Sequence, residues 1–169
     1  MSPNTAPGGL RLWSAVVYEG AARALVQGLK FRGAAGVADA MAARMVATAP
    51  AGTFRGALVP VPLHPRRLRR RGFNQARVLA EALARRTGLP LADCLSRRGR
   101  PTTQVGRGRA ERRAAPAGAF VARGRAPERA LIVDDVATTC ATLAACAAAL
   151  RAAGASELAA VTFARTPGR

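Results

Sequence analysis

A single α/β domain, with a central mostly parallel sheet flanked by helices, is predicted by three features of the chain. Short apolar runs that read as buried strands alternate with longer segments of helical period, the pattern of a parallel sheet covered on both faces. The clearest run, Ala130-Leu131-Ile132-Val133, is followed at once by an alanine-rich helical segment. Half of the 169 residues are hydrophobic but only 4% are aromatic, so small side chains must fill the core and helices must lie close on the sheet.

The elements follow in order. Residues 1–9 are polar and carry Pro and Gly, and an N-terminal segment over residues 1–17 is expected to be partly disordered. From Tyr18 to Leu29, Ala21, Leu25 and Leu29 recur at helical spacing, and a second helical stretch runs from Val37 to Thr48. Gly56 to Leu63 reads as a buried strand whose ladder ends near Pro60, because proline cannot donate to it. Asn74 is placed to cap a helix ending near Arg86, where Gly88-Leu89-Pro90 closes it. Residues 97–118 show no periodicity and many Arg and Gly, which predicts a long mobile loop. Phe120-Val121 reads as a short strand, Ala141 to Ala153 as a helix stopped by Gly154, and Leu158 to Phe163 as the last strand. The folded domain is thus expected over residues 18–169.

The charge narrows the partners. Twenty-seven basic against nine acidic residues give a formal charge of +18, and Lys30 is the single lysine. Such a field attracts polyanions, whether nucleic acid, phosphorylated metabolites or an anionic surface, although a merely solvated basic surface has the same composition. Three cysteines (Cys94, Cys140, Cys146) without a CxxC pair, and one histidine, His64, predict no zinc site and no disulfide framework. No apolar run approaches the roughly 20 residues of a membrane span, and no secretory signal is visible, so a cytoplasmic location is expected.

The chemistry concentrates in Leu131-Ile132-Val133-Asp134-Asp135-Val136-Ala137-Thr138-Thr139-Cys140-Ala141-Thr142. A buried strand runs into two acids, a small-residue turn with threonines, and then a helix start. In a parallel sheet the carboxyl ends of the strands form the ligand crevice. A turn into a helix N-terminus points backbone N–H groups there, which suits a phosphate, and carboxylates beside it can accept from vicinal hydroxyls. A solvated strand-end turn uses similar residues for local hydrogen bonding, but seldom in this order.

That segment resembles the phosphoribosyl diphosphate motif of type I phosphoribosyltransferases, and the rest of the chain is similar to the ComF family. The resemblance extends from Tyr18 to Arg165 through Tyr18-Glu19-Gly20, Leu29-Lys30-Phe31, Val59 to His64, Arg71 to Gln75, Arg100 to Gln104, Glu111-Arg112 and Gly118-Ala119-Phe120. It implies a competence-associated phosphoribosyltransferase that binds 5-phosphoribosyl 1-diphosphate with magnesium. Asp134 and Asp135 would then hold the ribose hydroxyls, with the metal bound indirectly through the ligand. Val136, Ala137 and Thr138, followed by Thr139, Cys140, Ala141 and Thr142, would surround the 5-phosphate. Arg100, Gln104 and Arg112 would lie on a flexible hood loop. The family pattern most often has glycine where this chain has Cys140, and relatives acting on 6-oxopurines carry an acid where it has Thr138.

The basic residues leave two alternatives open. Arg66, Arg67, Arg69, Arg70 and Arg71 read as a charge-dense loop between a strand end and a helix start. Together with Lys30, Asn74 and Gln75 it would handle pyrophosphate, as the resemblance implies, or Arg66, Arg67 and Arg71 would touch the backbone of single-stranded DNA. Both uses need only positive charge. A non-catalytic phosphoribosyl-ligand or single-stranded DNA binding module is therefore the alternative to an enzyme, with competence or DNA-processing proteins as further partners. Few aromatics lie near the arginines, so base stacking is not expected.

Overall fold

A computed structural model describes residues 4–6, 8–32, 35–98 and 118–167 of the chain. Four strands lie parallel in its main sheet: β2 (Leu10–Val17), β7 (Glu157–Arg165), β6 (Arg129–Ala137) and β3 (Ala57–Pro60), in that spatial order. A three-residue strand β1 (Asn4–Ala6) closes the β2 edge antiparallel. The parallel order requires crossovers, which helices supply. Helices α1 (Gly20–Arg32) and α2 (Ala35–Thr48) follow β2, and α5 (Ala141–Ala152) joins β6 to β7. The predicted fold class is the observed one.

Side-chain alternation along the strands sorts the core into two layers. Leu58, Leu131, Val133, Val161 and Phe163 bury against α2 and against α4 (Gln75–Thr87), where Met41, Met45, Leu79 and Leu83 meet them. Val59, Ile132 and Ala160 bury on the other face against Leu143, Ala147 and Leu150 of α5. Alanines at 76, 80 and 82 of α4 and 147 of α5 are fully enclosed, so the alanine-rich helices do approach the sheet closely. A small antiparallel hairpin, β4 (Leu95–Arg97) with β5 (Phe120–Ala122), packs on α5.

Three expectations are corrected. The domain does not begin only at Tyr18, because Leu10–Val17 is a strand of the main sheet with Leu10, Leu12 and Trp13 buried. Its run LRLWSAVV alternates poorly, since Leu10 and Leu12 fill one layer and Trp13 the other. The arginine run is not a loop but a helix, α3 (Pro65–Arg71), begun by proline at its first position and ended by Gly72 at φ 84°. Proline's fixed φ and a left-handed glycine are the ordinary start and stop of a helix. The turn expected directly after the acids begins later, because β6 continues through Ala137. Of the loop expected over 97–118, Arg97 belongs to β4, and residues 99–117, with Arg100, Gln104 and Arg112, lie outside the described residues.

Candidate functional site

The carboxyl edge of the sheet is where Asp134, Asp135, the turn after them and the ends of α1 and β3 meet. Because successive side chains of a strand point to opposite faces, the adjacent acids diverge. Asp135 is buried and lies 2.8 Å through Oδ2 from Lys30 Nζ, near the end of α1. That oxygen has no aligned hydrogen bond, so the contact is an ion pair. Lys30 therefore does more than complement its helix dipole: it neutralises an acid of the site.

Asp134 is half-buried on the α5 side, in register with Thr162, which in turn pairs with Ser14 of β2. Ser14 Oγ and Thr162 Oγ1 are 2.7 Å apart, forming a buried polar row that leads to the acid. Asp134 Oδ1 accepts from the Asp135 backbone N–H at 2.8 Å. Burial first, and then the negative charge of Asp135, hold the Asp134 carboxyl well above the usual carboxylate range. Burial, with a further push from Asp134, also raises the Cys146 thiol, so that sulfur behaves as a core side chain.

Beyond Ala137 the chain turns through exposed Thr138 and Thr139 into α5. Cys140 is the cap residue of that helix and is the one non-glycine residue at positive φ among those described, at 59° with ψ 1°. Its side chain makes no cap hydrogen bond, while Thr139 Oγ1 accepts weakly from Ala141 N–H at 3.5 Å. The resemblance puts glycine here, and the left-handed backbone is the physical reason: a Cβ is disfavoured in this region. Ala137, Thr138 and Thr139 lead into the α5 start at Ala141 and Thr142, whose first N–H groups have no intrahelical acceptors, while Val136 packs in the α2/α4 layer on the other face.

Across the crevice, β3 leads by Val61 and Pro62 into α3. Asn74 uses both ends of its amide locally: Nδ2 donates to Val61 O at 3.0 Å, and Oδ1 accepts from Ala76 N–H at 3.1 Å to cap α4. Gln75 is buried and its Oε1 accepts from Arg71 Nη1 at 2.5 Å. Those two residues fix the loop, leaving Arg66 and Arg67 exposed on α3 with no ion pair among the described residues. His64 caps α3, its Nδ1 accepting from Arg66 N–H at 3.2 Å. Partial burial first, then Arg97, Arg66, Arg67 and Arg69, push the imidazole below its ordinary value.

Arg97, which opens the arginine-rich run at 97–118, acquires a definite setting only on folding. It stacks over the Phe120 ring at 5.3 Å, has no acidic partner among the described residues, and acts electrostatically on His64 and on Cys146. Burial and then Arg67 lower its guanidinium pKa. The pairing of Leu95–Arg97 with Phe120–Ala122 crosses residues 99–117 and could have been sought as two short alternating runs facing each other. Among the described residues no three His, Cys, Asp or Glu side chains converge as metal ligands. Because the two acids leave opposite faces of β6, a magnesium ion here would have to take most of its oxygens from a phosphorylated ligand.

No helix of the described residues is long and apolar enough to cross a membrane. No protein-family model matches the chain. A curated relative from Haemophilus influenzae, "Competence protein F", is 37% identical over 107 residues, covering 60% of this chain and 47% of the relative. The chain therefore spans less than half the length of that relative in the match. That relationship bears out the resemblance to the ComF family carried by the motifs.

Proposed function

We propose that the chain binds a 5-phosphoribosyl 1-diphosphate-type ligand at the carboxyl edge of its sheet, and that it serves competence, the uptake and handling of DNA. The observation that carries the reading is the run from Asp134 to Thr142: two acids near the carboxyl end of β6, a left-handed turn and a helix start, following one another at the sheet's carboxyl edge. The turn and the N–H groups of the α5 start would hold the 5-phosphate. Because Asp134 and Asp135 leave opposite sides of β6, a ribose engaging both must reach around the edge of β6 left open beyond the end of β3. Lys30 would hold the Asp135 carboxylate in place toward the ligand, and Arg67 and Arg97 would supply positive charge for the diphosphate or the acceptor. Magnesium, held by the ligand's own oxygens and meeting the acids only through the ligand, would offset the phosphate charge. The reaction expected of such a site is pentosyl transfer, in which pyrophosphate leaves and the protein's task is positioning and the exclusion of water.

A second reading, a single-stranded DNA binding module without turnover, is favoured by α3. Five of its seven residues are arginines, and Arg66, Arg67, Arg69 and Arg70 are exposed. Calorimetry with phosphoribosyl diphosphate and magnesium tests the main reading. Binding by the natural chain that is abolished in Asp134→Asn with Asp135→Asn supports it; unchanged affinity in the double variant sinks it. Pyrophosphate release with a panel of acceptors then separates the enzyme from the module.

A further inference from the structure

The amino edge of the sheet, where no ligand is expected in an open parallel fold, carries a cavity of about 440 Å³. It lies under the segment Pro50 to Arg55, on the face of the sheet covered by α2. Its floor is apolar, made by Trp13, Leu131, Ala159 and Val161. Its rim is charged: Arg11, Arg55 and Arg129 against one acid, Glu157.

Charge at this rim is not balanced. Arg129 and Glu157 sit opposite each other in register and form a two-pronged pair, Nε to Oε2 and Nη2 to Oε1, both at 2.6 Å. That pair consumes the acid, and Arg11 and Arg55 have no ion-pair partner among the described residues. Arg55 is held by design of the backbone around it. Its guanidinium lies across Gly52, where an added Cβ would come within 2.9 Å of Nη2. Gly56, at φ 78°, packs so closely on the start of β6 that a Cβ would fall 2.3 Å from Arg129 O. The segment is therefore pinned to β6 with its arginine over the opening. Trp13, 4% exposed, has a buried indole N–H with no acceptor among the described residues.

Unpaired arginines at a rim over an apolar floor suit one kind of molecule. We propose that this cleft binds a small organic acid, a carboxylate on a flat or aliphatic apolar body, its head between Arg11 and Arg55 and its body on Ala159 and Val161. The site is independent of the phosphoribosyl reading. Leu131 and Asp134 are three positions apart on β6, which at the rise of a strand is roughly 10 Å, and Arg129 is farther still.

Trp13 is the single tryptophan of the chain, so its fluorescence reports on this wall alone. Phenylacetate is the probe, phenylacetamide its neutral match, and calorimetry the second readout. Saturable quenching by phenylacetate is expected, with the amide weaker and with Arg11→Gln plus Arg55→Gln reducing affinity roughly tenfold or more. Both arginines are exposed, so the double variant should keep its unfolding midpoint. Ala159→Leu, which narrows the floor without touching charge, should also weaken the probe. The proposal is overturned if phenylacetate gives no saturable signal up to about 10 mM, an affinity too weak for a built site. It is equally overturned if the amide binds as well, or if the double arginine variant binds like the natural chain.

Discussion

Lys30 Nζ stands 2.8 Å from Asp135 Oδ2, so the end of α1 is tied by charge to the strand that carries the candidate site. Asp135 is buried and Lys30 partly so, which makes the pair asymmetric: losing the lysine strands an enclosed carboxylate, whereas losing both charges does not. Lys30→Met should destabilise the fold by about 1–3 kcal/mol. Adding Asp135→Asn should restore more than half of that loss. Denaturant unfolding of the two single variants and the double variant measures the coupling, and additive losses would show that the pair contributes nothing.

Cys140 occupies a backbone position that glycine takes without strain. The Cβ penalty of the left-handed region is of order 1 kcal/mol, larger than the unfolded-state entropy that glycine adds. Cys140→Gly should therefore stabilise the protein slightly and tighten ribose 5-phosphate binding severalfold. Titration of both forms, with thermal unfolding alongside, checks this. A glycine variant that is no more stable and binds no better would show a relaxed loop.

The cap of α3 depends on a neutral imidazole, because Nδ1 accepts from Arg66 N–H. The folded state lowers the His64 pKa, so the unfolded chain takes up the proton first as pH falls. The stability this group contributes is therefore full above about pH 6.5 and declines on acidification through that value. His64→Asn, which keeps an acceptor without the titration, should flatten that part of the profile. An unchanged profile in the variant would remove His64 as its source.

If α3 meets the backbone of single-stranded DNA, affinity should fall with salt at a log–log slope near −0.7 per phosphate contact and should hardly depend on sequence. Arg66→Gln with Arg67→Gln should reduce the slope by about 1.4 if each arginine makes one such contact. Filter binding across a salt series reads both. A slope that the variant does not move assigns the arginines to pyrophosphate or to solvent.

The sequence by itself determined the alternation of strands and helices, the capping of α4 by Asn74 and the turn that follows β6, because these rest on local periodicity and on residues acting within a few positions. It marked Cys140 as unusual before the left-handed φ was known, since the motif puts glycine there. What the tertiary structure decided is longer in range. Leu10–Val17 becomes a strand by pairing with β7, about 150 residues away, which no local pattern discloses. The arginine run becomes helix because His64, Pro65 and Gly72 set its ends, outweighing like-charge repulsion. The two acids look interchangeable as neighbours in the chain; the sheet sends one to Lys30 and the other to Thr162 because a strand's side chains alternate between faces. Arg97 and the amino-edge cavity exist only where distant segments meet, and burial and uncompensated charge, the properties that suggest a role, arise only on folding.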